Sequence, residues 1–548
     1  MATGDWWKHG VVYQIYPRSF ADSDGDGVGD LPGITARLDY LNDGTPASLG
    51  VDAIWLSPFY PSPMKDFGYD VADFCDVHPD FGTLADFDRL VAEAHARGIR
   101  VIVDLVPNHT SDKHPWFEES RSSRESPKRH WYVWGDSKPD GSPPNNWSSA
   151  FPRVGPAWTF DRPTGQWYLH SFLPQQPDLN WWNPEVREAM DKVMRFWLDR
   201  GVDGFRIDVV HRLGKDPELH DNPLVELDGE AGGEDVDGPT LARILARKKA
   251  RRYDEDWPEV HEILRIFRRT LDAYDDRMAV GEVYLLDPAV VARYYGEAAD
   301  ELHLAFNFSF LWQPWRAEAF RAEADRWESL LPGGAWPDYT LSNHDVSRTA
   351  TRYGSDGDGA VRSRVAAMML LTLRGTPFLY YGEELGMTDG EIPEDRVVDV
   401  DGRDPERTPM QWDGGPSAGF TTGDPWLPVA RSAAEGVSVA AQRDDPRSML
   451  SLYRRLVWYR KGSAALRHGG YRPLDAPEGV FAYLREAGEE RLLVALNFSG
   501  HPRTLTPGIP RAGEGRLELA TDPDRRPGPV PLDPLELAPD EGVVLRLP

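Results

Sequence analysis

Cysteine and long apolar runs are scarce in this chain of 548 residues. Its single cysteine, Cys75, excludes a disulfide within the chain and is typical of a reducing compartment. No apolar run reaches the about 18 residues that a membrane-spanning helix needs. Residues 1–10, which include Trp6 and Lys8, lead directly into an apolar run at 11–16 without the pattern of a signal peptide. We therefore expect a cytoplasmic protein without a membrane partner.

Basic residues are also few relative to acidic ones. The chain has 61 Lys and Arg against 89 Asp and Glu, a net charge of −28. Such a surface repels phosphate backbones and anionic lipids, so nucleic acid is excluded as an expected partner. No phosphate-binding glycine-rich loop or dinucleotide fingerprint is present. The length predicts two or three domains, and the composition leaves monomer and homo-oligomer open.

Strand-like and helix-like segments alternate along most of the chain, which predicts an α/β fold with a parallel sheet. About eight strands are expected, the number in a (β/α)₈ TIM barrel. The predicted strands are 11–16, 51–57, 99–106, 204–208, 278–281, 302–306, 338–342 and 376–381. The predicted helices are 34–41, 84–97, 184–200, 257–274, 361–373 and 449–460.

The alternation fails in two places. Residues 108–177, after the third strand, are irregular and rich in proline and tryptophan, which predicts an inserted subdomain. Their indole rings suit either a core or the faces of sugar rings. From about residue 470, short β-like runs alternate with turns. We predict a barrel from 1–107 and 178–468, an inserted subdomain at 108–177 and a C-terminal all-β sandwich at 469–548.

Four aspartates crowd into the loop from Asp22 to Asp30. The loop begins like an EF-hand, but that pattern requires Glu at its twelfth position, where this chain has Gly33. A solvated acidic turn and a site for a hard cation are both compatible with the pattern. We favour the cation, because crowded carboxylates repel one another without one.

Three carboxylates follow the predicted strands at their C-terminal ends: Asp208, Glu282 and Asp345. That end of a barrel is where catalytic residues are placed. Arg206 lies two residues before Asp208, so the two side chains share one face of the strand. The pair suits either a strand-end salt bridge or an ionised nucleophile. Together with His109 and His344, these groups suggest acid–base and nucleophilic chemistry on a neutral, hydroxyl-rich substrate.

Four segments are similar to the four motifs of the α-amylase superfamily, glycoside hydrolase family 13, and occur in that family's order. They are 104–109, 204–208, 281–283 and 342–345. A fifth, Gln-Pro-Asp-Leu-Asn at 176–180, resembles the additional motif of the oligo-1,6-glucosidase and α-glucosidase branch. The resemblance covers essentially the whole chain.

The resemblance implies roles for the strand-end residues. Asp208 would be the nucleophile that forms a β-glucosyl ester, and Glu282 would be the general acid/base with a raised pKa. Asp345 would grip the sugar hydroxyls. The two catalytic carboxyl groups would stand about 5–5.5 Å apart, as in retaining enzymes. Arg206, His109 and His344 match polar groups around the same ring.

Other residues carry the resemblance into substrate binding. Asp66 and Tyr69 match the loop after the second strand, Phe172 matches an aromatic pocket residue, and Arg407 matches an arginine that would pair with Asp66. The pair would close a dead-end pocket that releases single glucose units. The acidic loop resembles the branch's structural calcium site, with magnesium as the alternative ion. Its ligands would be Asp22, Asp24, Asp26, the Val28 carbonyl and Asp30.

The expected activity is a retaining, exo-acting α-glucosidase on short oligosaccharides. The alternatives are a glucosyl transferase or isomerase with the same three carboxylates, and a phosphorylated disaccharide as substrate. Val209, directly after the predicted nucleophile, favours α-1,6 linkages. A non-catalytic transporter subunit would lack some of these carboxylates and carry a membrane anchor. We also expect the acidic segment at 212–240 to cover the pocket mouth.

Overall fold

The computed structural model describes residues 4–223, 253–285, 287–354, 357–509 and 513–548. The polar segment expected at the pocket mouth, 212–240, lies outside these ranges beyond residue 223. The strands of the first 380 residues are β1 (Val12–Ile15), β2 (Ala53–Leu56), β3 (Arg100–Leu105), β4 (Trp134–Gly135), β5 (Trp158–Asp161), β6 (Gln166–Leu169), β7 (Gly204–Ile207), β8 (Met278–Gly281), β9 (Leu304–Ala305), β10 (Asp338–Thr340) and β11 (Thr376–Tyr380).

The helices of the same part of the chain surround these strands. They are α1 (Trp6–His9), α2 (Pro17–Phe20), α3 (Leu31–Ala36), α4 (Leu38–Leu41), α5 (Leu84–Ala96), α6 (Pro115–Ser122), α7 (Pro184–Asp199), α8 (Val260–Asp272), α9 (Pro288–Val291), α10 (Phe308–Leu311), α11 (Ala317–Leu330), α12 (Thr349–Arg352) and α13 (Gly359–Thr372). Within the described ranges, none of the helices combines the length and the apolarity that crossing a membrane requires.

Eight strands form one parallel sheet in the order β10-β11-β1-β2-β3-β7-β8-β9. The last strand pairs with the first, with Val12 opposite Phe378, so the sheet curls into a barrel. β9 and β10 are its two ends. The predicted (β/α)₈ fold is confirmed, and the C-terminal ends of all eight strands therefore converge on one face.

Helix α5 illustrates how the sequence builds the outer layer. Thr83 caps its N-terminus by accepting from the Asp86 amide, and the Asp86 carboxylate accepts from the Thr83 amide in return. The buried residues Phe87, Leu90, Val91 and Ala94 have helical spacing and form one face. This face packs the helix against the barrel core, to which all four residues belong.

The segment between β3 and β7 contains α6 and a small antiparallel sheet in the order β4-β6-β5. Trp147 and Trp158 are buried in a core cluster of this segment, together with Leu169. An isolated bridge between His109 and Asp178 joins the two ends of the segment next to the barrel. The inserted segment therefore lies next to the catalytic face, where its residues Phe151 and Phe172, outside the small sheet, line a cavity.

Beyond β11, the chain forms α14 (Val439–Gln442), α15 (Met449–Gly462) and α16 (Ala464–His468) before it becomes entirely β. The later strands are β12 (Gly470–Pro473), β13 (Val480–Ala487), β14 (Glu490–Asn497), β15 (Arg503–Leu505), β16 (Glu514–Ala520), β17 (Gly528–Pro531), β18 (Leu535–Leu537) and β19 (Gly542–Arg546). They form an antiparallel sheet of six strands and a pair, β15 and β18. The expected C-terminal β structure is confirmed.

Candidate active site

One guanidinium connects the carboxylates of three neighbouring barrel strands. Arg206 Nη1 lies 2.7 Å from Asp208 Oδ1 and 2.8 Å from Asp104 Oδ1, and its Nη2 lies 2.7 Å from Glu282 Oε2. The register explains this convergence, because Asp104 is opposite Arg206 in the β3–β7 ladder and Glu282 follows β8 directly. The predicted Arg206–Asp208 neighbour pair is therefore part of a larger buried charge cluster.

The cluster shifts the proton affinity of its members. Burial raises the pKa of Asp208 well above its usual range, and the Glu282 and Asp104 carboxylates raise it further against the opposing charge of Arg206. Because Arg206 holds Glu282 next to Asp208, the raised pKa of Asp208 depends on the charge of Glu282. The expectation of a raised pKa at Glu282 itself stays a prediction.

The residue after Asp208 has an unusual backbone. Val209 has φ 36° and ψ 47°, in the left-handed region that β-branched residues rarely adopt. In this conformation its amide donates to Glu282 Oε2 at 3.2 Å. Glu282 is thereby held from two sides, by Arg206 and by the turn that follows Asp208.

Asp345 lies in the loop after β10 and keeps 28 % of its side chain exposed toward the cavity. Arg403 Nη1 is 3.0 Å and Arg407 Nη2 is 2.8 Å from Asp345 Oδ1. Burial alone would raise the pKa of Asp345, but the charges around it, including both arginines, outweigh this effect and hold the pKa well below its usual range. Asp345 is therefore ionised at neutral pH.

Asp66 forms the far wall of the site. Its carboxylate accepts from Arg403 at 2.6 Å and from Gln176 at 2.9 Å. The sequence-based pairing of Asp66 with Arg407 is wrong: Arg407 bonds the His344 carbonyl at 2.7 Å and Asp345, while Arg403, four residues earlier, reaches Asp66. Burial raises the pKa of Asp66 to about 6, although Arg403 opposes the shift.

The two predicted histidines are neutral. Burial lowers the pKa of His344 to about 3 and that of His109 to about 4. His344 Nε2 lies 2.6 Å from the Tyr69 hydroxyl, and the two rings stack with centroids 5.4 Å apart. His109 Nε2 lies 3.1 Å from the Tyr69 carbonyl. Tyr69 thus fixes both imidazoles against one wall.

The described residues enclose a cavity of about 210 Å³ at the catalytic face. This is smaller than the about 300–1,000 Å³ of sites for drug-sized ligands and suits a small molecule. Seven predicted residues line it: Asp66, Tyr69, His109, Phe172, Asp208, Glu282 and Asp345. The other three, Arg206, His344 and Arg407, contact those residues through the bonds given above.

Several lining residues escaped the sequence analysis. His211 and Arg212 follow the predicted nucleophile closely, and Tyr284 follows Glu282 by two residues, so proximity to the motifs was an available signal. Phe151 and Arg403 come from irregular segments and carry no such signal. Their positions depend on tertiary packing, with the Arg403 guanidinium 5.1 Å from the Phe151 ring centroid.

The acidic loop brings three of its predicted ligands together. Carboxylate oxygens of Asp22, Asp24 and Asp30 lie within 4.8 Å of one another. Asp22 also accepts from the Gly25 amide at 2.7 Å and the Gly27 amide at 2.8 Å, which folds the loop tightly. Asp26 accepts from the Val28 amide at 2.7 Å and is not part of this group.

Comparisons with known proteins agree with this geometry. The model of the α-amylase catalytic domain matches residues 14–469. A probable α-glucosidase of Rhizobium meliloti (strain 1021) is 45 % identical over 514 residues, covering 91 % of this chain and 90 % of that protein. An oligo-1,6-glucosidase of Parageobacillus thermoglucosidasius is 41 % identical over 534 residues, covering 90 % of each.

A solved structure extends the likeness to three dimensions. The α-glucosyl transfer enzyme XgtA superimposes with a TM-score of 0.90 at 40 % identity and covers 99 % of both chains. The family match spans the barrel and the segment inserted into it, including every strand-end carboxylate described above. The chain therefore belongs to the α-amylase family, glycoside hydrolase family 13, and is a glycoside hydrolase of its α-glucosidase and oligo-1,6-glucosidase branch.

Proposed function

We propose that this enzyme is a retaining, exo-acting α-glucosidase that removes the non-reducing terminal glucose of disaccharides and short oligosaccharides. The observation that carries the proposal is the shared guanidinium of Arg206, which holds Asp208 and Glu282 side by side at the cavity floor. One carboxylate can then attack the anomeric carbon while the other serves the leaving oxygen.

In the first step, an oxygen of Asp208 attacks the anomeric carbon and forms a β-glucosyl ester. The bond from that carbon to the glycosidic oxygen breaks, and its electron pair, together with the proton of Glu282, goes to the leaving sugar. Arg206 contacts both carboxylates, and it stabilises the negative charge that develops on Glu282 as the proton leaves.

In the second step, Glu282 takes a proton from water, and the water oxygen attacks the anomeric carbon. The ester bond breaks, and its electron pair returns to Asp208. Two inversions restore the α configuration. Asp345, ionised by its two arginines, is suited to bind the hydroxyls of the ring while the anomeric carbon becomes positively charged.

The shape and charge of the cavity support exo attack on a neutral sugar. The pair of Asp66 and Arg403, at 2.6 Å, closes the end beyond Asp345, so a chain cannot extend in that direction. The described lining residues include two arginines, and each already faces a carboxylate. Arg403 pairs with Asp66, and Arg212 lies 3.2 Å from Glu255. A phosphorylated sugar would have to compete for them.

The test is glucose release from maltose, isomaltose, trehalose and sucrose, with proton NMR identifying the first anomer formed. We expect α-glucose from the wild type and none from Asp208→Asn. The matched control is Asp88→Asn, whose half-exposed carboxylate pairs with Arg200 outside the cavity. Initial release of β-glucose from trehalose or sucrose, which hold no reducing-end glucose, or an active Asp208→Asn enzyme, would exclude the proposal. Adding trehalose 6-phosphate tests the phosphorylated alternative.

A transferase is the second candidate, and the likeness to XgtA favours it. Both activities share the glucosyl ester and differ in whether water or a sugar hydroxyl accepts the glucose. Raising the disaccharide concentration distinguishes them. A hydrolase releases two glucose molecules for each maltose, isomaltose or trehalose bond cleaved at all concentrations. A transferase releases at most the leaving glucose and forms longer or isomeric sugars.

We also propose that the acidic loop binds a structural calcium ion through Asp22, Asp24 and Asp30. Oxygen-only carboxylate ligands in a tight loop suit this cation. Removal with EGTA is expected to lower the Tm, because an ion at about 100 times its dissociation constant adds about 2.7 kcal/mol. Asp24→Asn should abolish the response to calcium, and magnesium should replace calcium only weakly. A Tm indifferent to both treatments would exclude the site.

A further inference from the structure

Lys215 is a buried lysine that lies seven residues after Asp208 and does not line the cavity. All three donors of its ammonium group have acceptors: Asn108 Oδ1 at 2.9 Å, Asp178 Oδ2 at 3.0 Å and the Arg212 carbonyl at 2.5 Å. It therefore joins the loop after β7 to the loop after β3 and to the end of the inserted segment. A lysine so fully bonded is expected to be rigid.

Lys215 determines which way the amide of Asn108 points. An ammonium group only donates, so the oxygen of Asn108 must face it. The amide nitrogen then faces the neighbouring ring, with Asn108 Nδ2 3.1 Å from His109 Nδ1. A flipped amide would place two donor groups, the amide and the ammonium, against each other in a buried site.

Asn108 in turn determines the protonation of His109. Its amide nitrogen donates, so His109 Nδ1 must accept and cannot carry a proton. The single proton of the imidazole is therefore on Nε2, where the Tyr69 carbonyl accepts it at 3.1 Å. A doubly protonated ring would turn the contact with Asn108 into a donor facing a donor.

Lys215 also affects the net charge around His109. The ring is 1 % exposed, and His109 pairs with Asp178 across a backbone bridge. Gln176, which donates to Asp66, also places its amide nitrogen 3.1 Å from Nε2, and this contact alone would favour the other tautomer. That tautomer is disfavoured because it would set two donors against each other at Asn108 and deprive the Tyr69 carbonyl of this donor. Asp178 alone would favour an imidazolium, but it is engaged by Lys215 and by the Ser171 amide at 2.8 Å. Lys215 thus neutralises the carboxylate that would otherwise charge the histidine.

We propose that Lys215 is a positioning residue that, through Asn108, locks the cavity-lining His109 into its neutral form with the proton on Nε2. His109 then presents a fixed donor beside Tyr69 and carries no positive charge that would compete with the arginines for Asp208 or Asp345. The kinetic consequence rests on the proposed α-glucosidase function, but the protonation state of His109 does not.

The test is ¹⁵N NMR of protein labelled at its 14 histidines, with the signals of His109 identified from a His109→Gln sample. In the wild type, we expect one neutral species protonated on Nε2 from pH 5.5 to 8. Asn108→Asp replaces the donor with a carboxylate that accepts from both neighbours. The pKa of His109 should then rise from about 4 by about 1–3 units, because an opposite charge in contact favours the protonated ring.

A second variant keeps the local charge balanced. Lys215→Met combined with Asp178→Asn removes both buried charges, frees the Asn108 amide to rotate, and should produce a mixture of the two neutral tautomers. His303, another buried histidine remote in sequence, is the internal reference and should not change in either variant. If the wild type carries the proton on Nδ1, or if neither variant alters His109, the proposal is wrong.

Kinetics separate positioning from mere structural support. Asn108→Asp should give a new acid limb in kcat/KM for the best disaccharide near the raised pKa of His109, with normal values restored at high pH. A uniform loss at every pH, with unchanged His109 signals, would mean that Asn108 only supports the fold. A wild type without glucosidase activity would refute the proposed function, but NMR would still report the protonation state of His109.

Discussion

Replacing Asp66 by Asn should change how the stability of the protein depends on pH. Burial raises the pKa of Asp66 to about 6, from a usual value near 3.8. The folded protein therefore holds a proton that the unfolded chain releases between about pH 4 and pH 6. Because the folded pKa is higher, Asp66 makes the wild type more stable as the pH falls toward 4. An Asn at this position cannot titrate.

The size of the effect follows from the two pKa values. The full difference between pH 7 and a pH below both values is about 3 kcal/mol, at about 1.4 kcal/mol per pKa unit. Between pH 7 and pH 5, the same linkage gives about 1.3 kcal/mol. Asp66 has 6 % of its side chain exposed, so solvent screening is weak. Relative to Asp66→Asn, the wild type should gain this amount on acidification.

The assay is urea unfolding of both proteins at pH 5, 6 and 7, where every other titrating group is common to them. The control is Asp475→Asn, the same substitution at a fully exposed carboxylate. A wild type that loses stability relative to Asp66→Asn between pH 7 and pH 5 would refute the reasoning. A constant difference would mean that Arg403 keeps Asp66 ionised throughout.

Three further predictions concern the cavity. Glu282→Gln should lower kcat on maltose by about 10²–10⁴-fold. On an activated aryl α-glucoside, whose leaving group needs no acid, azide should restore turnover by attacking the β-glucosyl ester in place of water, with α-glucosyl azide as the product; a mutant with unchanged kcat on maltose would exclude Glu282 as the acid. Val209→Thr keeps the β-branched side chain and should raise the ratio of maltose to isomaltose kcat/KM by at most about 200-fold, the effect of one methyl-sized group; an unchanged ratio would leave linkage preference to other residues. Arg403→Met should cost about 3–5 kcal/mol in urea unfolding because it leaves Asp66 without its guanidinium; a loss below about 1 kcal/mol would contradict the importance of this pair.

The barrel could be predicted because its strands are apolar runs at regular intervals along the chain. Prediction was weakest where a strand is short: the expected strand at 302–306 is only Leu304–Ala305, which pairs with β8 alone. The placement of Asp208 and Glu282 was predictable for the same reason as the barrel, whereas Asp345 lies in the loop after β10 and was indicated by its motif. A residue directly after a parallel strand must lie on the catalytic face, whatever follows it.

The arginines of the far wall show where such inference ends. Arg403 and Arg407 stand four residues apart in an irregular segment around the short turn Pro405–Arg407, and both reach Asp345. A sequence motif indicates that this segment brings an arginine to the wall, but not which one meets Asp66. Packing decides it, because Arg407 lies over the Tyr16 ring and is bonded to the His344 carbonyl.

This arrangement also explains why Asp66 is the carboxylate that responds to pH. Two guanidinium groups serve three wall carboxylates: Asp66, Asp345 and Asp399. Asp345 and Asp399 each contact both arginines. These charges, together with His344 beside Asp345, overcome the effect of burial and lower the pKa of each carboxyl. Asp66 meets Arg403 alone, so burial prevails and its pKa rises. The far wall therefore has one more carboxylate than it has guanidinium groups. Asp66, which closes the pocket, is the carboxylate whose charge is compensated least.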